Sequence, residues 1–253
     1  MTATGNEDSA APRGAAFYDD PAVFERYNEP RRTLSDPTDV MEEPALLQEI
    51  GDAHDLRIVD LGCGDGAIGR VLLDAGCRRY LGVDGSATMI QAARTTLRGT
   101  AGEVTQTNIE DFHAPSASFD LVLSRLALHY VADIDAVLRA CHDCLAAGGR
   151  LILTVIHPVI SSHDARPNTD QPRSTWVVDD YFNTGPRPQN WLGGTVDWHH
   201  RTIEDHFAAM RDAGFAVTGL RECPPEPARL EDRDELTRRR RIPMFLLLAG
   251  TRA

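Results

Sequence analysis

The chain has 253 residues, of which 42% are hydrophobic and 25% charged, and its formal net charge is -12. This length suits one α/β domain with an insertion, and the acidic balance disfavours nucleic-acid or anionic-membrane partners, which are bound through basic surfaces. Five cysteines without framework spacing, together with the lack of a signal peptide or long apolar run, predict a reduced cytoplasmic protein.

The N-terminal part of the sequence predicts a polar tail and two helices. Residues 1–15 are small and polar, so we expect them to be disordered. One helix is expected to begin at Pro21, after two aspartates that can cap it. A second begins at Pro44 and ends near Gly51, where the helical pattern stops.

A glycine-rich loop after the first predicted strand is the central feature of the sequence. The apolar run that begins at Ile58 reaches Asp60 and then meets glycines at alternate positions, Gly62, Gly64 and Gly66. Glycine tolerates positive φ angles and lets a ligand approach the main chain without meeting a Cβ. A helical pattern follows at once, so the unit reads as strand, ligand-holding turn and helix.

The glycines alone fit more than one ligand. Gly64, Gly66 and Gly69 have the G-x-G-x-x-G spacing of a dinucleotide-binding loop. Asp60 and Asp65 would place two carboxylates beside a pyrophosphate, which is costly in a water-poor crevice. A ligand with positive charge suits the loop better, and S-adenosylmethionine has an ammonium, a sulfonium and no phosphate.

Three further strand ends are predicted to bring polar groups to the same edge of the sheet. Asp84 ends the second strand, where a nucleotide-binding βαβ unit carries its ribose-binding acid. Residues 107–111, which include Ile109 and Glu110, are predicted to end the third strand, and the fourth ends at Ser124. Because parallel strands place their carboxyl ends together, these residues are expected to surround one crevice.

The segment from His157 to His200 interrupts the α/β pattern. It contains all three tryptophans and five prolines, and it shows no sustained helical or strand period. A loop of this length is usually functional or disordered, and its aromatic content argues against disorder. We therefore expect an insertion that caps the active site, with a structural flap or dimer contact as the alternative. After it, a helix from Thr202, a strand from Phe215 and a last strand over residues 242–248 are predicted.

Five segments agree in order and spacing with one known family over residues 45–156. They are residues 60–66, residues 82–86 with 89–90, residues 119–122, residues 128–131 and residues 145–151. On these segments the chain resembles the class I S-adenosylmethionine-dependent methyltransferases, in particular the small-molecule branch with a methyltransferase type 11 core. No single motif among them is as specific as the set.

The resemblance implies a fold and a domain organisation. The fold is a three-layer α/β sandwich around a seven-stranded, mostly parallel sheet with strand order 3-2-1-4-5-7-6. One Rossmann-like domain is expected over residues 16–253, with a helical lid at residues 16–50. The aromatic-rich cap insertion, residues 157–201, is expected between strands 5 and 6.

The resemblance also implies S-adenosyl-L-methionine as the cofactor and assigns site residues. The expected cofactor-binding residues are Tyr27, Arg31, Asp60, Gly62, Cys63, Gly64, Asp84, Gly85, Met89, Ile109, Glu110 and Ser124. The expected substrate-binding residues, from the lid and the insertion, are Tyr18, Trp176, Tyr181, Trp191, Trp198 and Arg201.

Catalysis is expected to rest on positioning, with histidine as an optional base. Methyl transfer needs an aligned acceptor and exclusion of water, and no nucleophilic side chain. For a hydroxyl or protonated amine a general base is useful, and His157, His200 and His129 are the candidates. No metal is expected, because the histidines lack a recognised ligand spacing. Cys141 and Cys144 share a helix face, which favours packing over redox or zinc chemistry.

The sequence thus predicts methyl transfer to a small molecule, by O- or N-methylation, in secondary metabolism and by a monomer or homodimer. Arg173, Arg187 and Arg201, together with the tryptophans, suggest an aromatic or carboxylate-bearing acceptor. Three alternatives remain open at this level. They are a non-methylating enzyme of the same fold such as a cyclase, a nicotinamide-dependent oxidoreductase, and a cofactor-sensing protein without turnover.

Overall fold

The computed structural model describes residues 14–31, 38–162, 175–230 and 232–253, without the side chains of residues 30, 31 and 39. Most of the tail predicted to be disordered, residues 1–13, lies outside the described residues. Residues 14 and 15 belong to a short 3-10 helix, Gly14–Asp19. The division of the chain into tail, lid and cap stays a prediction.

The described elements alternate between strands and helices along most of the chain. The strands are β1 (Arg57–Leu61), β2 (Arg79–Asp84), β3 (Glu103–Gln106), β4 (Phe119–Arg125), β5 (Leu145–Ile156), β6 (Gly185–Trp191), β7 (Gly194–His200), β8 (Phe215–Arg221) and β9 (Phe245–Arg252). The α-helices are α1 (Pro21–Arg31), α2 (Glu43–Ile50), α3 (Ala67–Asp74), α4 (Ala87–Thr96), α5 (Ile134–Cys144), α6 (Pro158–Ser161), α7 (Ile203–Asp212) and α8 (Arg233–Arg239).

In the described part of the chain, seven strands form one sheet in the order β3-β2-β1-β4-β5-β9-β8. The first five of these are parallel to one another, and β9 runs antiparallel to both β5 and β8. Counting only the strands of this sheet, the order is 3-2-1-4-5-7-6, which confirms the predicted fold. The strand order reverses between β1 and β4, and ligands bind at such a point outside the carboxyl ends of the strands.

Helices cover both faces of the sheet. This explains why the sequence of β1 is almost continuously apolar. Side chains alternate between the two faces of a strand. Val59 and Leu61 pack into the core layer that includes α5 and α7, whereas Ile58 packs into the layer that includes α2 and α3. A strand buried on both faces needs apolar residues at successive positions. The polar exception, Asp60, is therefore informative.

The insertion differs from the prediction that it lacks a strand period. Strands β6 and β7 form an antiparallel hairpin, here called the hairpin, separate from the main sheet in the described residues. Val196, Trp198 and His200 are buried at alternate positions of β7, which is a strand pattern. The prolines obscured this pattern in the sequence, because proline normally argues against a strand. Pro186 and Pro188 are tolerated in β6 because β6 pairs with one strand only, as an edge strand does.

Two smaller findings concern the last strand and the membrane. Strand β9 begins at Phe245, so the predicted start at residue 242 is wrong by three residues and Pro243 precedes the strand. Proline cannot donate to a sheet ladder, which explains the later start.

Among the described residues, no helix is long and apolar enough to cross a membrane.

Candidate active site

A cavity of about 980 Å³ lies at the carboxyl ends of the central strands. Its walls come from residues 14–27, the loop after β1, the segments after β3 and β4, and the hairpin. It therefore joins two regions that the sequence suggested separately, the glycine-rich loop and the aromatic insertion. The predicted residues that line it are Tyr18, Tyr27, Asp60, Gly62, Cys63, Gly64, Asp84, Gly85, Met89, Ile109, Glu110, His129, Trp191 and Trp198.

The glycine loop, residues 62–66, is held tightly against its neighbours. The N–H groups of Gly62 and Cys63 both donate to the Val83 carbonyl, at 2.7 and 3.0 Å. Gly62 has a φ of 79°, and a Cβ built there would overlap the Cβ of Ala127. Gly64 has a φ of 54°, and a Cβ there would approach the Tyr27 hydroxyl to 3.3 Å. Gly62 therefore requires glycine, whereas at Gly64 the positive φ favours it and the Tyr27 hydroxyl would have to shift slightly.

The third glycine of the G-x-G-x-x-G spacing has a packing role. A Cβ at Gly69, in α3, would overlap the ring of Tyr80 on β2. The Tyr80 ring fills that space and its hydroxyl donates to Asp60 Oδ2 at 2.8 Å. The spacing thus serves helix-to-strand packing here and does not require a dinucleotide.

Asp60 is a buried carboxyl group at the base of the cavity. Its exposed fraction is 0%, and Oδ1 has no hydrogen-bond partner in the described part of the protein. Burial raises the pKa of Asp60 to about 7, against the hydrogen bond from Tyr80 and the positive charge of Arg125, which both lower it. A buried carboxylate with one unsatisfied oxygen is costly, so its ionised form favours a cationic ligand nearby.

Asp84 lies at the end of β2 beside the glycine loop. Its Oδ2 accepts a hydrogen bond from the Gly64 N–H at 3.0 Å, and its Oδ1 accepts one from the Ser86 N–H at 2.9 Å. Burial raises the pKa of Asp84, and these hydrogen bonds oppose the rise. Each carboxylate oxygen keeps a further lone pair, so the group can fix the loop and still accept from a ligand.

The N-terminal segment is attached to both ends of the cavity. Asp19 accepts hydrogen bonds from the Ser86 hydroxyl at 2.6 Å and from the Thr88 N–H at 3.0 Å, beside Asp84. At the other end, Arg26 donates to the Leu192 carbonyl in the hairpin at 3.1 Å. Residues 14–29 thus bridge the glycine loop and the hairpin. Arg31, predicted to bind the cofactor, has a side chain outside the described residues.

Two predicted binding residues, Ser124 and Arg201, have protein partners in the structure. Ser124 is buried and donates to the Leu61 carbonyl at 2.9 Å, so it ties β4 to β1. Arg201 donates to the carbonyls of Val131 and Ala132, at 2.8 and 2.7 Å, and so fastens the chain after the hairpin to the segment after β4. Both side chains thus bond to neighbouring main chain, and neither is in the cavity lining. Their expected roles in ligand binding stay predictions.

The outer aromatic residues of the insertion also lie away from the cavity lining. Trp176 packs under the guanidinium of Arg241, 5.5 Å from the ring centre. The Tyr181 hydroxyl accepts a hydrogen bond from the Ile203 N–H at 3.3 Å, at the start of α7. Aromatic content alone could not separate these two side chains from Trp191 and Trp198, which line the cavity.

Two of the three histidines predicted as bases have both ring nitrogens occupied. His200 Nε2 donates to the Tyr181 carbonyl at 2.9 Å, so its Nδ1 accepts from the Ser161 hydroxyl at 2.8 Å. His157 Nδ1 accepts from the Val159 N–H, and its Nε2 donates to Glu222 at 3.2 Å. Neither residue is in the cavity lining. The structure thus gives both histidines packing and capping roles.

His129 lines the cavity, but its environment makes it a poor base. It is 5% exposed and its Nδ1 has no partner among the described residues. Burial lowers the pKa of His129 to about 3, with smaller contributions from nearby His206 and Arg201. The ring is therefore neutral at physiological pH, where it can form a hydrogen bond but does not hold a transferred proton.

His206, on α7, gives a pH-dependent stability that can be measured. It is 4% exposed, and burial together with the charge of Arg201 lowers its pKa to about 3. Below pH 6.5 the unfolded chain binds a proton at this site and the folded chain does not, so stability falls as pH decreases. From pH 6.5 to 5 the loss is about 2 kcal/mol for this residue.

We expect His206→Leu to remove that loss. When the pH falls from 7 to 5, the free energy of unfolding should decrease by about 2 kcal/mol less in the variant than in the parent. Urea unfolding at both pH values measures this, and His113→Leu, at an exposed site, is the control. An unchanged pH slope in His206→Leu would show that the histidine is already protonated in the folded protein.

Several residues of the cavity were not predicted. Asn108 and Tyr130 line it within segments already singled out, after β3 and β4, so their position near a strand end was a usable signal. The predicted third-strand end at residues 107–111 is wrong, because β3 ends at Gln106 and Ile109–Asp111 is a short 3-10 helix. Arg125 lines it from the end of β4, with its guanidinium bonded to the buried Glu42 at 2.7 Å. Asp197, on the hairpin, had no signal in the sequence because the hairpin itself was not predicted.

Comparisons with known proteins agree with this geometry. A family model described as a methyltransferase domain matches residues 59–153. A solved S-adenosylmethionine-dependent methyltransferase from Mesorhizobium loti is 36% identical, with a TM-score of 0.76, and the match covers 83% of this chain and 97% of that one.

Two relatives named as methyltransferases match over a shorter region. A malonyl-[acyl-carrier protein] O-methyltransferase from Enterobacter lignolyticus is 31% identical over 56% of this chain and 52% of its own length. A trans-aconitate 2-methyltransferase from Acidovorax ebreus is 33% identical over 60% of this chain and 52% of its own length. The chain thus spans about half the length of these two enzymes. From the match to the Mesorhizobium loti protein over nearly its whole length, the chain belongs to the S-adenosylmethionine-dependent methyltransferases.

Proposed function

We propose that the protein transfers the methyl group of S-adenosylmethionine to a small-molecule acceptor, at an oxygen or nitrogen atom. The observation that carries this proposal is one continuous cavity, in which an acidic, glycine-lined half meets an aromatic half. The name of one matched relative specifies O-methylation, which supports an oxygen acceptor. A role in secondary metabolism stays a prediction.

The residues of the acidic half fit the cofactor. The absence of a side chain at Gly62 and Gly64 would let a ligand approach the main chain, and the unsatisfied Oδ1 of the Asp60 carboxylate suits a cation. Asp84 would accept hydrogen bonds from the ribose hydroxyls, and Met89 and Ile109 would flank the base. When bound, the cofactor supplies an electrophilic methyl group on a positively charged sulfur. The family membership also removes the nicotinamide-dependent alternative.

The protein's own contribution to catalysis is proposed to be positioning. The candidate bases His157 and His200 are held by other partners, and His129 stays neutral. Alignment of the acceptor and exclusion of water can supply several kcal/mol, about 7–11 at best, without a base. The aromatic half and the bridging N-terminal segment are suited to that work because they enclose the acceptor's side of the cavity.

The test measures binding and turnover separately. We expect calorimetry to detect binding of S-adenosylmethionine and S-adenosylhomocysteine but not of nicotinamide dinucleotides. Methyl-labelled cofactor, incubated with the protein and a metabolite extract of the producing organism, should then yield a labelled small molecule. Asp84→Asn is the control and should lose both signals. Binding without any label transfer would favour a cyclase-like or sensing role instead, and absence of binding would refute the proposal.

A further inference from the structure

Six aromatic rings form a continuous wall along the cavity, here called the aromatic wall. Successive ring centres are 5.6, 6.1, 4.3, 5.2 and 6.0 Å apart, and all but the third spacing lie within the range of favourable aromatic pairs, about 4.5–7 Å. All six rings line the same cavity. In order from the glycine loop to the hairpin, they are Tyr27, Tyr18, Tyr130, His129, Trp198 and Trp191.

The aromatic wall is assembled from three separate parts of the chain. The N-terminal segment provides Tyr18 and Tyr27, the turn after β4 provides His129 and Tyr130, and the hairpin provides the tryptophans. The Tyr18 and Tyr130 hydroxyls are 2.8 Å apart and form a hydrogen bond with each other. These two hydroxyl groups satisfy each other, so they need no hydrogen-bond partner from a ligand.

Two polar atoms of the wall have no partner among the described residues. They are the Trp191 indole Nε1, which can only donate, and His129 Nδ1. A buried polar group without a partner costs roughly 1–3 kcal/mol, so a ligand that pairs with these atoms gains that amount. A hydroxyl group can do so at either atom, because it both donates and accepts.

The arginines around this half of the cavity are already engaged. Arg125 is paired with a buried glutamate, Arg187 donates to main-chain carbonyls in the insertion, and Arg201 donates to those of residues 131 and 132. Arg26, at the rim, donates to the hairpin. Asp197, an acidic residue of the hairpin, also lines the cavity. Asp197 would repel a carboxylate ligand. The four guanidinium groups already bond to other protein groups, so they do not form a carboxylate-binding site.

We propose that the aromatic wall binds the acceptor, and that this acceptor is an uncharged aromatic ring bearing a hydroxyl group. The inference rests on the proposed function and narrows it. Of the two acceptor classes suggested by the sequence, it selects the aromatic one and rejects the carboxylate. Ring stacking provides affinity, and the unpaired atoms on Trp191 and His129 provide the polar selection.

The test uses three matched probes and calorimetry, with S-adenosylhomocysteine present and absent. The probes are 2-naphthol, 2-naphthoate and the saturated alcohol 2-decalol. We expect 2-naphthol to bind at least tenfold more tightly than either of the others. Trp191→Phe should weaken 2-naphthol about tenfold and leave S-adenosylhomocysteine affinity unchanged, whereas Trp176→Phe, outside the cavity, should change neither.

Equal or tighter binding of 2-naphthoate or 2-decalol would overturn the inference, and the unmodified protein suffices for that comparison. A protein that binds S-adenosylhomocysteine but not 2-naphthol would also overturn it while leaving the proposed function intact. Loss of S-adenosylhomocysteine binding alone would instead count against the proposed function, since the probes address a different half of the cavity.

Discussion

Gly62→Ala is expected to lower the free energy of unfolding by about 2–5 kcal/mol and to weaken cofactor binding at least about 100-fold. Gly62 has a φ of 79°, a left-handed conformation that costs a residue with a Cβ about 1–2 kcal/mol. The new Cβ would also overlap that of Ala127, which adds an overpacking cost of about 1–3 kcal/mol. Relief of the overlap moves the loop that faces the cofactor.

Two variants separate these contributions. Gly99 has a φ of 80° and nothing within 4 Å of a built Cβ, so Gly99→Ala carries only the conformational cost. The double variant Gly62→Ala with Ala127→Gly should recover the overlap part and some affinity. Urea unfolding and calorimetry with S-adenosylhomocysteine measure both effects. If Gly62→Ala lowers the free energy of unfolding no more than Gly99→Ala does, and binds S-adenosylhomocysteine with the parent's affinity, the close packing described at the loop is wrong.

The fold was predictable because its signals are local and repeated. Strands buried on both faces are apolar at successive positions, and each is followed by a loop and a helical pattern, as around Gly62 and Asp84. The lining of the acidic, glycine-lined half could be located for the same reason, since its residues lie at or after strand ends. Their roles in cofactor binding stay predictions. Ser124 was the exception, because a strand-end position does not reveal that a hydroxyl bonds to the Leu61 carbonyl on the adjacent strand.

The aromatic half of the cavity was less predictable, because it depends on contacts between segments that are distant in the sequence. His157 and His200 lie near the sheet edge in sequence, but their ring nitrogens are occupied by Glu222 and by Ser161 and the Tyr181 carbonyl. No local pattern reveals such partners. The hairpin was missed because prolines hid its alternation, and with it the distinction between the tryptophans that line the cavity and Trp176.

Asp60→Asn is expected to change stability and cofactor affinity in opposite directions. Because the folded-state pKa of Asp60 is about 7, the folded protein binds more protons than the unfolded chain between about pH 3.8 and 7. Stability therefore falls as pH rises through this range, and the full penalty is present above about pH 7. At about 1.4 kcal/mol for each pKa unit, the variant should gain a few kcal/mol at pH 8 and almost nothing at pH 4.

The same charge should attract the cationic cofactor, so affinity and stability are coupled through one group. In the parent protein, affinity for S-adenosylmethionine should rise between pH 6 and 7.5 as Asp60 ionises, whereas affinity for uncharged adenosine should stay level. Asp60→Asn should abolish this rise, and Tyr80 can still donate to the amide oxygen. Calorimetry across this pH range measures both ligands. A pH rise that persists in Asp60→Asn would mean that another carboxylate, with Asp84 the nearest candidate, carries the attraction.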